Sequence, residues 1–156
     1  MLIRHFPALI CLLLVSAAYV AAQTPPLVAC AQVKGEMKCD DASFALALKA
    51  AKTVAISSQP VNRASEHALE GLVRDLGKTV GPDGADLTFE LVRTEQSGVF
   101  YGPGDRELAT LRIYAHGAQG ERGPLVWVET YLGQPDMPWP AVAHQALQQF
   151  KSEFKN

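Results

Sequence analysis

Glu90, Arg112 and Glu129 fall on three segments that alternate apolar and polar residues, so neighbouring strands can bring them together. Two carboxylates beside a guanidinium could act as the acid and base of a small hydrolase. Cross-strand charge pairing on a solvated sheet face accounts for the same trio with fewer demands. Other catalytic signatures fail on spacing. Gly71 to Thr79 ends in Gly77-Lys78-Thr79, but its glycines are one residue too far apart for a phosphate loop. That stretch also closes a helix, the wrong electrical pole for an anion. Gly102-Pro103-Gly104 has Glu107 where a dinucleotide fingerprint needs its third glycine. His67, His116 and His144 sit in three different elements without ligand spacing, so they read as solvated side chains and no metal is expected. Ser57-Ser58 lies at a strand end with no nucleophile elbow around it. No cofactor is expected, and enzyme activity is the less favoured reading.

The positive signal is aromatic. Tyr114, Trp127 and Tyr131 alternate onto one side of two strands, with Arg112 and Glu129 beside them. Arginine with tyrosine and tryptophan is the composition of binding surfaces. Phe100 and Tyr101, in a Gly-rich loop from Gln96 to Asp105, and the Pro-rich connection Gln134 to Pro140 extend the list. The opposing reading is that another segment covers these rings and makes them ordinary core.

These residues need elements to hold them. Asp40 or Asp41 caps a short helix to about Ala51, although Phe44, Leu46 and Leu48 also alternate as a strand would. Thr53 to Ser57 reads as a strand. Arg63 to Leu76 is an amphipathic helix with Ala64, Ala68, Leu69, Leu72, Val73 and Leu76 on one stripe, stopped by Gly77. Gly81 to Gly84 is a turn. Strands follow at Asp86 to Thr94, Leu108 to Ala115 and Leu125 to Leu132. Trp139 to Phe154 is the last helix, with Pro140 in its first turn, where a missing N–H matters little. Helices around a run of adjacent strands predict an α+β two-layer sandwich, a mostly antiparallel sheet of about four strands with helices on one face. Val54, Ile56, Leu87, Phe89, Leu91, Leu111, Ile113, Val126 and Val128 should meet the helices. Thr88, Glu90, Thr110, Arg112, Tyr114, Trp127, Glu129 and Tyr131 should form the open face.

The amino terminus speaks to location. Arg4 and His5 lead an apolar run, Leu9 to Val15, and small residues precede Gln23-Thr24-Pro25-Pro26. That is the layout of an export signal, cut here after Ala22. The expected organisation is a cleaved leader at 1–22, a lead-in at 23–39 and one domain at 40–156. Cys11 departs with the leader, and Cys30 and Cys39 pair in an oxidising compartment. Leu27-Val28-Ala29-Cys30 also has the look of a lipobox, but Gln23 to Pro26 separates it from the apolar run, so a lipid anchor at Cys30 is the disfavoured alternative. The 156 residues carry 14 Lys+Arg against 16 Asp+Glu, a net charge of -2, and the leader removes only Arg4 from that count. A mildly acidic chain gives no reason to expect nucleic acid. Past the leader no apolar run approaches the roughly 20 residues of a membrane-spanning helix.

Ala51 to Ile56, Ala85 to Leu91 and Leu125 to Thr130 resemble stretches of small exported bacterial α+β domains of uncharacterised families. Domains of this look occur in cell-envelope assembly proteins and in the amino-terminal part of TolB-like proteins. The resemblance is one of pattern and carries no catalytic residues across. The export signal and the aromatic sheet face together point to an exported, non-catalytic binding or accessory domain of the periplasm or cell envelope, engaging its partner through that face. Its partner would be an envelope protein, a peptide or a glycan. A small extracytoplasmic hydrolase and a homodimer built through the same face are the alternatives.

Overall fold

The computed structural model describes residues 30–34, 36–81, 84–96, 106–117 and 122–154. The leader with its cut after Ala22, the lead-in as far as Ala29, and the loop pair Phe100 and Tyr101 lie outside the described residues. The elements run β1 (Ala31–Val33), β2 (Glu36–Lys38), α1 (Asp41–Ala50), β3 (Thr53–Gln59), α2 (Arg63–Asp75) and β4 (Thr79–Val80). After them come β5 (Leu87–Gln96), β6 (Arg106–His116), β7 (Arg122–Leu132) and α3 (Trp139–Phe154).

Local chemistry sets the helix ends. The Asp40 carboxylate accepts from the N–H groups of Ala42 and Ser43, and the Asn62 side chain does the same for Ala64 and Ser65. Each satisfies donors that the first turn of a helix leaves unpaired. Gly77, at φ 70°, closes α2: its N–H donates to the Arg74 carbonyl, and the Lys78 N–H donates to that of Val73. This is the paired-bond helix stop that a left-handed glycine permits. The Gly71 to Thr79 stretch is thus a helix exit, as its sequence suggests.

The molecule is an α+β two-layer sandwich with helices on one side of a five-stranded sheet, ordered β4-β3-β5-β6-β7. The sheet has one strand more than expected, and it is less antiparallel. β3 runs parallel to both β4 and β5, while β5, β6 and β7 are joined antiparallel. The crossover through α2 returns the chain parallel to β3. β4 spans only two residues, too few to show any alternation. Asp86 pins the entry to this sheet by accepting from the N–H groups of Lys52 (2.8 Å) and Thr53 (2.9 Å). Those backbone donors hold its carboxyl below the usual carboxylate range.

Val54, Leu87, Phe89, Leu91, Leu111 and Ile113 form the helix-side face and are buried, as expected. Phe44 of α1, Leu69, Leu72 and Val73 of α2, and Val142 and Phe150 of α3 close over them. Trp139 opens α3 inside this core, and its Nε1 donates to the buried Ser65 hydroxyl of α2 at 2.9 Å.

Cys30 and Cys39 are bonded to each other around the β1–β2 hairpin. The Cys30 N–H also donates to the Leu125 carbonyl at 2.9 Å, which ties the hairpin to β7. Replacing both cysteines with serine is expected to lower the unfolding free energy by about 2–3 kcal/mol, from the entropy of so short a loop. Urea denaturation of both forms checks this. An unchanged midpoint would mean the hairpin is held without the bond.

Candidate functional site

The outer face of the sheet is organised around Glu90 in the middle of β5. Its side chain is fully buried although it points away from the helices. Register explains the company it keeps. Glu90 lies opposite Arg112 of β6 and beside Ser57 of β3, and Tyr114 is one step along the same face. Arg122 reaches in from the start of β7. Its Nη1 donates to Glu90 Oε1 at 2.6 Å, and the Tyr114 hydroxyl donates to Oε2 at 3.1 Å. Arg112 Nη1 is an ion-pair partner at 3.7 Å. The Arg122 guanidinium also lies over the Tyr114 ring, 5.4 Å from its centroid. Burial, then the Glu90 charge, pushes the Tyr114 hydroxyl above its ordinary value, which keeps it a donor. The carboxylate is thereby covered on both oxygens. The two guanidiniums keep 40% and 46% of their side-chain surface open, so charge stays available outward.

β7 positions Arg122 through an irregularity. Between the pairs Ile113–Trp127 and Tyr114–Leu125 one residue, Val126, has no opposite number, and a second slip follows before His116–Arg122. Gly123 is required there: a Cβ would come within 2.5 Å of the Ala115 carbonyl oxygen. Pro124 is tolerated because the ladder is already broken. Arg122 falls between the strands expected at Leu108 to Ala115 and Leu125 to Leu132, outside the alternating pattern that marks the other site residues. A guanidinium one residue ahead of Gly-Pro in a strand-like stretch was the only available signal.

The same irregularity accompanies the main correction. Trp127, Glu129 and Tyr131 lie opposite Ile113, Leu111 and Ala109, so they are on the helix side and not on the open face. Trp127 is 8% exposed. It stacks on Phe44 (centroids 5.0 Å) and meets Phe154 edge-on at 5.0 Å. Tyr131 packs against the core and donates its hydroxyl to Gln145 of α3. Glu129 accepts from Gln149 of α3. Both parities of Leu125-Val-Trp-Val-Glu-Thr-Tyr-Leu132 carry apolar residues. The larger rings win the core because they bury more surface than valines. Of the predicted binding residues the structure brings together Arg112 and Tyr114; Trp127, Glu129 and Tyr131 form a separate, helix-side group. The trio Glu90–Arg112–Glu129 does not form, since Arg112 lies opposite Val128.

Glu129 carries the strain of that choice. Burial, then the nearby Glu153 charge, raises its carboxyl above the usual value, against the Gln149 bond. Its Oε2 is buried without a hydrogen-bond partner. A folded-state pKa raised above the unfolded one favours the protonated fold, so this contribution is complete below the unfolded pKa and is lost as pH rises through the folded value. Glu129→Gln should therefore stabilise the protein at pH 7, by less than about 1 kcal/mol for a half-buried group, and the gain should shrink on acidification. Urea unfolding at pH 4, 5.5 and 7 reads this directly; a difference constant with pH would contradict it.

The fold and this cluster together define a helix-backed sheet whose bare face presents arginines anchored by one sealed carboxylate. No family model matches the chain, and no curated protein does. Among solved structures, the chain is similar to PelC from Paraburkholderia phytofirmans, a dodecamer solved in two crystal forms. One gives a TM-score of 0.44 at 13% identity, covering 67% of this chain and 88% of that one. The other gives 0.43 at 12% identity, covering 66% and 88%. A minor lipoprotein from Acinetobacter baumannii gives 0.40 at 13% identity, covering 66% of this chain and 90% of that one.

Proposed function

We propose that this protein is an exported, non-catalytic binding domain of the bacterial periplasm or cell envelope, and that it engages its partner through the outer sheet face. The observation that carries this reading is the Glu90 cluster, a buried carboxylate used to hold Arg112 and Arg122 in fixed, half-open positions. Preorganised guanidiniums suit recognition, since less side-chain freedom is lost on contact. The disulfide supports an oxidising compartment, as does the leader layout read from the sequence. It also engages the sulfur that a lipid anchor on Cys30 would need. Among the described residues no helix is long and apolar enough to cross a membrane.

A hydrolytic reading fits less well. Both oxygens of Glu90 are held by donors, and Glu129 belongs to the other side of the sheet. A face-to-face homodimer would bring like-charged guanidiniums together, which opposes it.

Photo-crosslinking tests the face. A benzophenone side chain placed at Thr94 or Thr130, both exposed on the outer face, should trap a partner in envelope extract. The same group at Arg74, exposed on α2, should not. Crosslinks from Arg74 alone, or equally from all three positions, would overturn the assignment.

A further inference from the structure

The charged residues of the three long strands are sorted by side. Arg93, Glu95, Glu107 and Glu129 share the helix-side register, where Arg93 pairs with Glu95 and Glu107 and lies over the Trp139 ring. Glu90, Arg106, Arg112 and Arg122 take the outer register. Helix-side charge on these strands is thus one cation against three acids, and the outer side reverses it, three cations against one acid. This happens on a chain whose net charge is -2. Cross-strand pairing alone would have mixed the signs on each face.

Resting on the proposed use of this face, we infer that its partner is an acidic protein segment, whose carboxylates meet the outward edges of Arg106, Arg112 and Arg122. Planar guanidiniums take carboxylates in paired hydrogen bonds and keep their charge at every physiological pH. Half-buried Val92, Leu108 and Val128 lie between them in the same register. Arginine set among aliphatic side chains is the composition of a protein-binding patch. An acidic glycan is the weaker fit. Sugars stack on open aromatic faces, whereas the Tyr114 ring is covered by Arg122 and its hydroxyl is bound to Glu90. The arrangement also makes binding salt-sensitive, because half-exposed charges are screened within about 8 Å at physiological ionic strength.

The test uses the purified protein and a fluorescent ten-residue peptide of alternating glutamate and leucine, read by anisotropy. Its glutamine–leucine counterpart, polygalacturonate and polyphosphate serve as rivals. The acidic peptide should bind and the glutamine peptide should not. Binding should weaken at least tenfold between 50 and 500 mM salt. Thr130→Glu should weaken it about tenfold and Arg106→Gln about threefold, with unchanged thermal unfolding. Arg74→Glu on α2 should leave it unaltered. Absent binding, binding indifferent to Thr130→Glu and Arg106→Gln, or stronger competition by polygalacturonate or polyphosphate than by unlabelled acidic peptide would each overturn the inference. If that happens while Thr94 and Thr130 still crosslink a partner, the face stands and only its partner chemistry is wrong. Without those crosslinks the functional reading itself falls.

Discussion

Trp127→Ala is expected to lower the unfolding free energy by about 3–5 kcal/mol. The indole is sealed between Phe44 of α1 and Phe154 of α3, and both rings would lose a partner at once. Phe44 and Phe154 also meet each other edge-on at 5.1 Å, so the cavity would open at a three-way junction with little freedom to collapse. Trp127→Phe should be milder, about 1–2 kcal/mol: it keeps a ring and removes Nε1, which is buried with no hydrogen-bond partner. Denaturant unfolding followed by circular dichroism measures both. If Trp127→Ala left the midpoint within experimental error, the helix-side placement of the indole would be wrong.

The second large effect concerns Arg122→Ala. Glu90 is fully buried, and Arg122 supplies the short hydrogen bond to Oε1. Removing one member of a buried ion pair leaves the other uncompensated, which costs about 3–5 kcal/mol where both are sealed. Here the guanidinium is 46% exposed, so solvent already screens part of the interaction and about 2–3 kcal/mol is expected. Replacing both partners, Glu90→Leu with Arg122→Met, should recover most of the loss because no buried charge is then stranded; Arg112 loses its partner but keeps 40% of its side-chain surface in solvent. A double-mutant cycle separates this from simple loss of packing. Additive single effects would show that Arg122 and Glu90 do not depend on each other. The Arg122→Ala variant should also bind the acidic peptide more weakly, so its stability must be measured beside its affinity.

How far the sequence could be read differs by element. α3 runs from Trp139 to Phe154, the span its helical spacing indicates, because sixteen residues repeat the pattern several times. α2 and its glycine stop are equally legible, since cap and amphipathic stripe agree. α1 shows both periods at Phe44, Leu46 and Leu48, and the Asp40 cap favours the helix. β4 was out of reach. Two residues contain no period, and their place depends on where α2 delivers the chain. In the candidate site, the Glu90–Arg112 pairing and the presence of Tyr114 followed from alternation on β5 and β6. Arg122 did not, because its reach depends on the slips at Val126 and Gly123.

Residue order by itself determined the α+β class, the helices, the centres of β3, β5, β6 and β7, and the two sides of β5 and β6. Each of those follows from local periodicity, with one parity apolar and the other polar. Only tertiary structure decided which side of β7 faces inward. Its two parities are both apolar enough to bury, and an unmatched residue in the ladder breaks any count carried over from β6. Packing against Phe44 and Phe154 then selected Trp127, and the carboxylate of Glu129 followed it inside. The polar face was left to Arg112, Tyr114 and Arg122 around Glu90, because strand register, which no single segment encodes, brings them side by side.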